Sequence, residues 1–398
     1  MMRTVRLFAA VAPAAAALLL APATVAAPYV PKDDATVLER LPLKPTDPLG
    51  RELRELRARL AAQPDDLDAA VTIGRHYFRL AMSEGDPRFI GYAEVALRPW
   101  ARSKEPPRNV LVLRALLRKY RHDFAGALDD LAAAAASDPS DAEVWLWRAA
   151  ILLVQADYVG AMSACDPLRA RGESLDWIGC KSSVEGVTGG AERAYASLSE
   201  GLARGRGVRA GPRLWMLSRL AEFSLVLGET DRAERHFKEA LSLGVSDQFL
   251  LAAYADFLLD RGRPQEVVTL LKDWTRSDPL LLRLALAEKV LGAPVLEEHV
   301  RTLKSRFDAA AMRGDKLHQQ EEARFNLYLL GQRPRALALA KENWTLQREP
   351  RDARILLEAA LAANDPKAAQ PALDWLARTG YQDPYLRRLA ARLGNSRP

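Results

Sequence analysis

The chain has 398 residues, 49 % of them hydrophobic, long enough for two ordinary domains or one elongated array and too apolar for a disordered chain. Its formal charge of +6 is spread over 57 basic and 51 acidic residues without clusters, which excludes a nucleic-acid surface of massed Lys and Arg. Ala, Leu and Arg dominate, 7 % is aromatic, and runs of alternating Val, Ile and Thr are nearly absent, so an all-α chain is expected.

The first 26 residues have the pattern of an export leader. Arg3 and Arg6 form a short basic region, Leu7 to Leu20 an apolar core, and Ala21 to Ala26 the small residues a signal peptidase needs, with the cut after Ala26. The apolar run of about 14 residues is shorter than the roughly 20 that span a bilayer. No other segment is long and apolar enough to cross a membrane, so a periplasmic or secreted protein is expected. Residues 27–49 contain five prolines (Pro28, Pro31, Pro42, Pro45, Pro48) and are expected as an extended arm. Arg51 to Gln63 reads as an amphipathic helix with Leu53, Leu56 and Leu60 on one stripe.

Beyond Pro64 the chain repeats itself. Leu111 and Trp145, Ala115 and Ala149, Phe124 and Tyr158, and Ala127 and Ala161 are each 34 residues apart; Ala81 and Ala93 extend the step backward. Asp138-Pro139-Ser140-Asp141 supplies a stop and a restart, with Ser or Asp capping the next helix. A second block repeats from Arg213 to Pro279: Leu217 with Leu251, Ala221 with Ala255, Gly228 with Gly262, Phe237 with Leu271. The phase slips between the blocks, and the surplus falls in a Gly/Arg-rich joint at 201–212. This divides the mature chain into N-terminal repeats at 50–200 and C-terminal repeats at 213–398. The latter include a longer helix from Val295 to Met312, an inward Trp344 and a last capping helix from Pro384 to Leu393.

The columns at Ala115, Phe124, Ala127, Leu131, Ala134 and Pro139 resemble tetratricopeptide repeats, with a departure at Arg114, where Leu would be usual. The resemblance covers roughly Pro64 to Leu393. It implies an α-solenoid, a right-handed superhelix of antiparallel helix pairs, whose first helices line a concave groove. By column the groove residues are Arg75, Phe78 and Met82; Asn109, Val112, Leu116 and Lys119; Glu143 and Leu146; Trp215, Ser218 and Glu222; and Phe249 and Asp256. Their mixture of aromatic and charged types suits an extended peptide. Ordinary exposed helix faces are the other reading.

The two cysteines, Cys165 and Cys180, fall on the second helix of one unit and the first helix of the next. In an oxidising compartment a structural disulfide is the first reading; two buried thiols are the alternative. No metal or cofactor is expected, because the five histidines (His76, His122, His236, His299, His318) are scattered and no ligand-spaced pair occurs. No nucleophile elbow or phosphate loop occurs either. Gly205 to Ala210 matches a dinucleotide-loop pattern, but helices flank it on both sides, and four arginines there (Arg204, Arg206, Arg209, Arg213) read as a solvated linker. Asn343-Trp344-Thr345 fits a glycosylation sequon only by coincidence, lying within a helix.

The expected function is a non-enzymatic exported scaffold or adaptor that holds a protein or peptide partner of the cell envelope in its groove. Neither nucleic acid nor a membrane span is expected among its partners, and the oligomeric state is open. The alternatives are a helical-repeat enzyme acting on the cell wall, or a structural subunit of a secretion or polysaccharide assembly.

Overall fold

The computed structural model describes Asp33, 47–101, 103, 105–205 and 207–394, apart from the side chain of Arg171. The leader, nearly all of the arm and Arg206 lie outside the described residues. The chain divides into two compact units, Met1–Arg51 and Glu52–Pro398, and the helix pairs belong to the second.

Among the described residues there are helices and no strands. After α1 (Pro48–Ala62) come nine pairs: α2 (Leu67–Glu84) with α3 (Arg88–Ala96), α4 (Arg108–Tyr120) with α5 (Phe124–Ser137), and α6 (Ala142–Val154) with α7 (Tyr158–Cys165). They continue with α8 (Leu175–Val187) and α9 (Ala191–Arg204), α10 (Ala210–Val226) and α11 (Thr230–Ser242), then α12 (Gln248–Asp260) and α13 (Pro264–Leu271). The last three are α14 (Asp278–Leu291) with α15 (Leu296–Met312), α16 (Gln319–Arg324) with α17 (Arg333–Leu346), and α18 (Pro350–Ala362) with α19 (Gln370–Thr379). Helix α20 (Pro384–Gly394) closes the series. The fold is an all-α solenoid.

The repeated columns explain the pairs. Ala115, Ala127, Ala134 and Ala161 are fully buried, and only a methyl group at those positions lets two helix axes approach closely. Carboxylates start many of the helices: Asp66, Asp123, Asp141, Asp157 and Asp247 each accept a hydrogen bond from a first-turn backbone amide. Each such cap stabilises its helix by about 1 kcal/mol. The turn inside the pair is repeated as well. His122, Ala156, Gly228 and Gly262, at the same column of four units, have φ of 60°, 62°, 77° and 68°. Glycine takes that conformation without strain, whereas His and Ala meet a Cβ conflict.

Arg114 replaces an apolar residue because it has a partner. Its guanidinium binds the buried carboxylate of Asp130 at 2.7 and 2.9 Å, and Arg118 reaches the same group at 2.8 Å. The stretch at 201–212 is shorter as a break than its composition implies, since α9 runs to Arg204 and α10 starts at Ala210. The core is continuous across it, with Leu198 and Leu202 packed in one cluster with Leu214 and Leu217. Helix α1 begins at Pro48, three residues before Arg51, because proline is preorganised for a first helical turn.

Between Glu52 and Pro398 the array turns back on itself. Gln248 on α12 donates to the carbonyl of Ala81 on α2 at 3.4 Å, and Gly85 at the end of α2 lies against Gln248 and Ser277. The backbone amide of Arg348 donates to the carbonyl of Val154 at 2.8 Å. The late pairs α16–α19 therefore lie against the inner side of the early ones.

Candidate functional site

The inner wall and the late pairs enclose three neighbouring hollows of about 130, 210 and 250 Å³. Arg351, in the first turn of α18, borders all three. Its guanidinium is bound to Glu349 at 2.5 Å, and that carboxylate together with the nearby charge holds Arg351 above the ordinary arginine range. Behind it, Asp352 is almost fully buried and accepts from the Asn343 amide and the Glu349 backbone amide at 2.9 Å each. Burial raises its carboxyl to about 7, and the charge of Glu349 adds to the rise while Arg351 opposes it.

The groove residues predicted from the columns fall into three groups. Met82, Lys119 and Phe249 border the first hollow, Asp256 the second, and Glu222 both the second and the third. These five come together although α2, α4, α10 and α12 carry them. Burial lowers the affinity of Lys119 for its proton; its ammonium lies 5.8 Å from the centre of the Trp147 ring. Glu222 is pushed up by burial and accepts from Arg219 at 2.8 Å. Asp256 feels a comparable burial penalty, yet the guanidinium groups of Arg283 and Arg324, at 2.6 and 2.9 Å, hold it well below the usual carboxylate range.

A second group is committed within the protein. Arg75 and Glu143 bind one another through two bonds of 2.8 and 2.9 Å, tying α2 to α6. Asn109 accepts from the amide of Val110, and the Ser218 hydroxyl donates to the Leu214 carbonyl at 2.9 Å. Phe78, Val112 and Leu116 are buried in the core, Phe78 edge-on to Trp147 at 6.1 Å, so they present no surface. Neither Arg75, Glu143, Asn109 nor Ser218 borders the hollows.

Trp215 stands apart. It is 41 % exposed on α10, with its ring seated on Gly179 of the preceding unit, where any Cβ would collide with it. Phe249, exactly one repeat of 34 residues later, is 44 % exposed on α12.

Reading by columns missed Glu321, Glu349, Arg351 and His122 as inner-wall residues. His122 is held near Gln347, whose amide nitrogen donates to Nε2 at 2.8 Å. Burial drives its imidazole down to about 4, and the charge of Lys119 adds to the drop. No periodic signal marks these residues, because the hollows form between pairs far apart in sequence. Cys165 and Cys180 form a disulfide that joins α7 to α8. Among the described residues no group of His, Cys, Asp and Glu is placed to hold a metal ion, and no helix is long and apolar enough to cross a membrane.

This geometry defines an α-solenoid of tetratricopeptide-type helix pairs. No family model matches the sequence, and no curated protein matches it. Solved structures of similar fold include PilW, described as a widely conserved type IV pilus biogenesis factor (18 % identity, TM-score 0.40, covering 50 % of this chain and 94 % of that one). Another is the APC/C hetero-tetramer Cut9-Hcn1 (15 % identity, TM-score 0.49, covering 83 % of this chain and 63 % of that one). A third is Rap protein complexed with competence and sporulation factor (15 % identity, TM-score 0.45, covering 87 % and 92 %). Likeness at these values concerns the architecture and carries nothing about ligands.

Proposed function

We propose that this chain is an exported, non-enzymatic adaptor that binds a protein or peptide partner of the cell envelope through the first helices of its units. One observation carries the reading. Trp215 and Phe249, at equivalent positions of adjacent units, are the large aromatic side chains that α10 and α12 leave exposed, at 41 % and 44 %. Exposed aromatics at repeat spacing cost apolar hydration unless something covers them, and such side chains supply most of the energy at protein interfaces. The disulfide fits an oxidising compartment.

The test is crosslinking of the mature protein in its own envelope, followed by mass spectrometry, beside a Trp215→Ala/Phe249→Ala variant. A defined partner that the variant loses at unchanged fold supports the adaptor and its site. A partner retained at full yield moves the site away from these helices, and turnover of cell-wall fragments by the purified chain overturns the non-enzymatic reading.

A further inference from the structure

The hollow of about 250 Å³ lies between the early first helices and the late pairs. Helices α6, α8 and α10 give it an apolar side of Leu153, Val187, Phe223 and Val226. Tyr158 and Tyr381 border it too, and one buried side chain holds them both. Trp375 donates its indole N–H to the Tyr158 oxygen at 2.7 Å, and its ring packs against that of Tyr381 with centroids 5.5 Å apart. Among the described residues neither phenol finds an acceptor for its own hydrogen. The Tyr158 hydroxyl only accepts, and Tyr381 makes its hydrogen bond through its backbone amide. Tyr381 is 8 % exposed, yet its hydroxyl is not sealed by protein, and the space it opens on is this hollow. Burial raises both phenols, Tyr158 to about 12, and the charges of Asp383 and Glu222 add to the rise at Tyr381. Both therefore keep their hydrogens at neutral pH.

The charges around the hollow are matched. Arg219 binds Glu222 at 2.8 Å, Arg351 binds Glu349 at 2.5 Å, and Arg348 and Asp383 add one of each sign. An anion or a cation entering here meets as many like charges as opposite ones. Water caps a phenol readily, but an ordered water needs two to four polar partners, and the Leu153–Phe223 side offers none. Replacing such loosely held water with an apolar group gains affinity.

We propose that this hollow binds a small neutral molecule with an apolar body and a carbonyl oxygen that accepts from Tyr381, with Tyr158 as a second donor. Its apolar body lies on the side formed by Leu153, Val187, Phe223 and Val226. One water needs roughly 10–15 Å³ of such space, so the hollow holds many waters' worth, yet it stays below the ~300 Å³ at which drug-sized pockets begin. That suits a molecule the size of a capped amino acid. The site is independent of the partner reading, because neither Trp215 nor Phe249 borders this hollow.

The experiment is calorimetric titration of the full mature chain with N-acetyl-L-leucinamide, a neutral amide with an apolar side chain. N-acetylglycinamide lacks the apolar body, N-acetyl-L-leucine is an anion and L-leucinamide a cation. The expected result is one N-acetyl-leucinamide per chain, with the other three compounds weaker. Tyr381→Phe should weaken that binding by roughly 5- to 10-fold, the size of one neutral hydrogen bond. Its thermal midpoint without ligand should equal or exceed that of the wild type, since the variant loses no bond within the protein. Failure of N-acetyl-leucinamide to bind the folded wild-type chain overturns the proposal. So does unchanged affinity in Tyr381→Phe, or either charged compound binding as tightly as the neutral one.

Discussion

The indole Nε1 of Trp375 donates a hydrogen bond to the hydroxyl of Tyr158 at 2.7 Å, across 217 residues of sequence. Trp375 is completely buried on α19, and Tyr158 opens α7, so this bond links the ninth helix pair to the third. The Trp375 ring also packs edge-on to Trp344 and tilted against Tyr381. It is one of the contacts that fold the array onto its own inner side.

Tyr158→Phe keeps the ring and removes the acceptor, leaving a buried indole N–H unsatisfied. The cost should be about 1–3 kcal/mol. Chemical denaturation should show a lower midpoint with an early phase for loss of the late pairs, followed by Trp fluorescence. A midpoint equal to wild type would mean that water replaces the hydroxyl and that this bond does not hold the closure.

Asp130 is 4 % exposed and serves two guanidinium groups, from Arg114 and Arg118. Removing it alone strands those charges, and Asp130→Ala should destabilise by ~3 kcal/mol. Replacing Arg114 and Asp130 together with Leu should cost less than the sum of Arg114→Leu and Asp130→Leu, since only Arg118 then loses its carboxylate, and it keeps the Gly126 carbonyl and Asp123. A double-mutant cycle by urea unfolding measures the difference, and additive losses would contradict this account.

The Cys165–Cys180 bridge closes a loop with a sequence separation of 15 residues, for which the chain-entropy argument gives about 3 kcal/mol. Reducing agent should lower the melting temperature of the wild type by several degrees and leave Cys165→Ala/Cys180→Ala unaffected. Equal response of both proteins to the reductant would place the effect elsewhere.

His122 gives the pH dependence a definite sign. Burial lowers its folded-state affinity for a proton to about 4 from an unfolded value near 6.5. The unfolded chain therefore binds the extra proton between those values. The stability that neutral His122 contributes is complete above about pH 6.5 and is lost as pH falls toward 4. Asp352, raised by burial to about 7, acts the other way over roughly pH 4 to 7 and should offset part of the loss. His122→Asn tolerates the positive φ and removes the titration. Its melting temperature at pH 5 should lie closer to its pH 7 value, or further above it, than in the wild type. An identical pH profile for both proteins would show that His122 does not titrate in this window.

Much of the architecture was legible in the chain. The 34-residue step at Ala115 and Ala149, Phe124 and Tyr158, and Leu217 and Leu251 placed the helix pairs, because small and large residues must recur wherever identical units stack. The capping carboxylates Asp141 and Asp157 and the turn glycines Gly228 and Gly262 marked helix ends for local reasons that need no tertiary contact. The long helix ending at Met312, the inward Trp344 and the bridge between neighbouring units followed from the same local logic.

Which side chains of the expected groove columns border the inner hollows was legible only in part. Arg75 and Glu143 belong to equally exposed-looking columns, and nothing in a one-dimensional pattern says that two long charged side chains 68 residues apart will choose each other. Phe78 looked like a surface aromatic until Trp147 covered it. Periodicity thus determined the all-α architecture and the helix pairs of the two regular blocks, which depend on contacts between sequence neighbours. The return of α16–α19 onto the inner wall, the placing of Lys119 and Glu321 on one hollow, and the contact of Tyr158 with Trp375 were decided by tertiary structure. Small rotations between successive pairs add up along the solenoid, and their sum fixes which distant residues face each other although no single repeat encodes it.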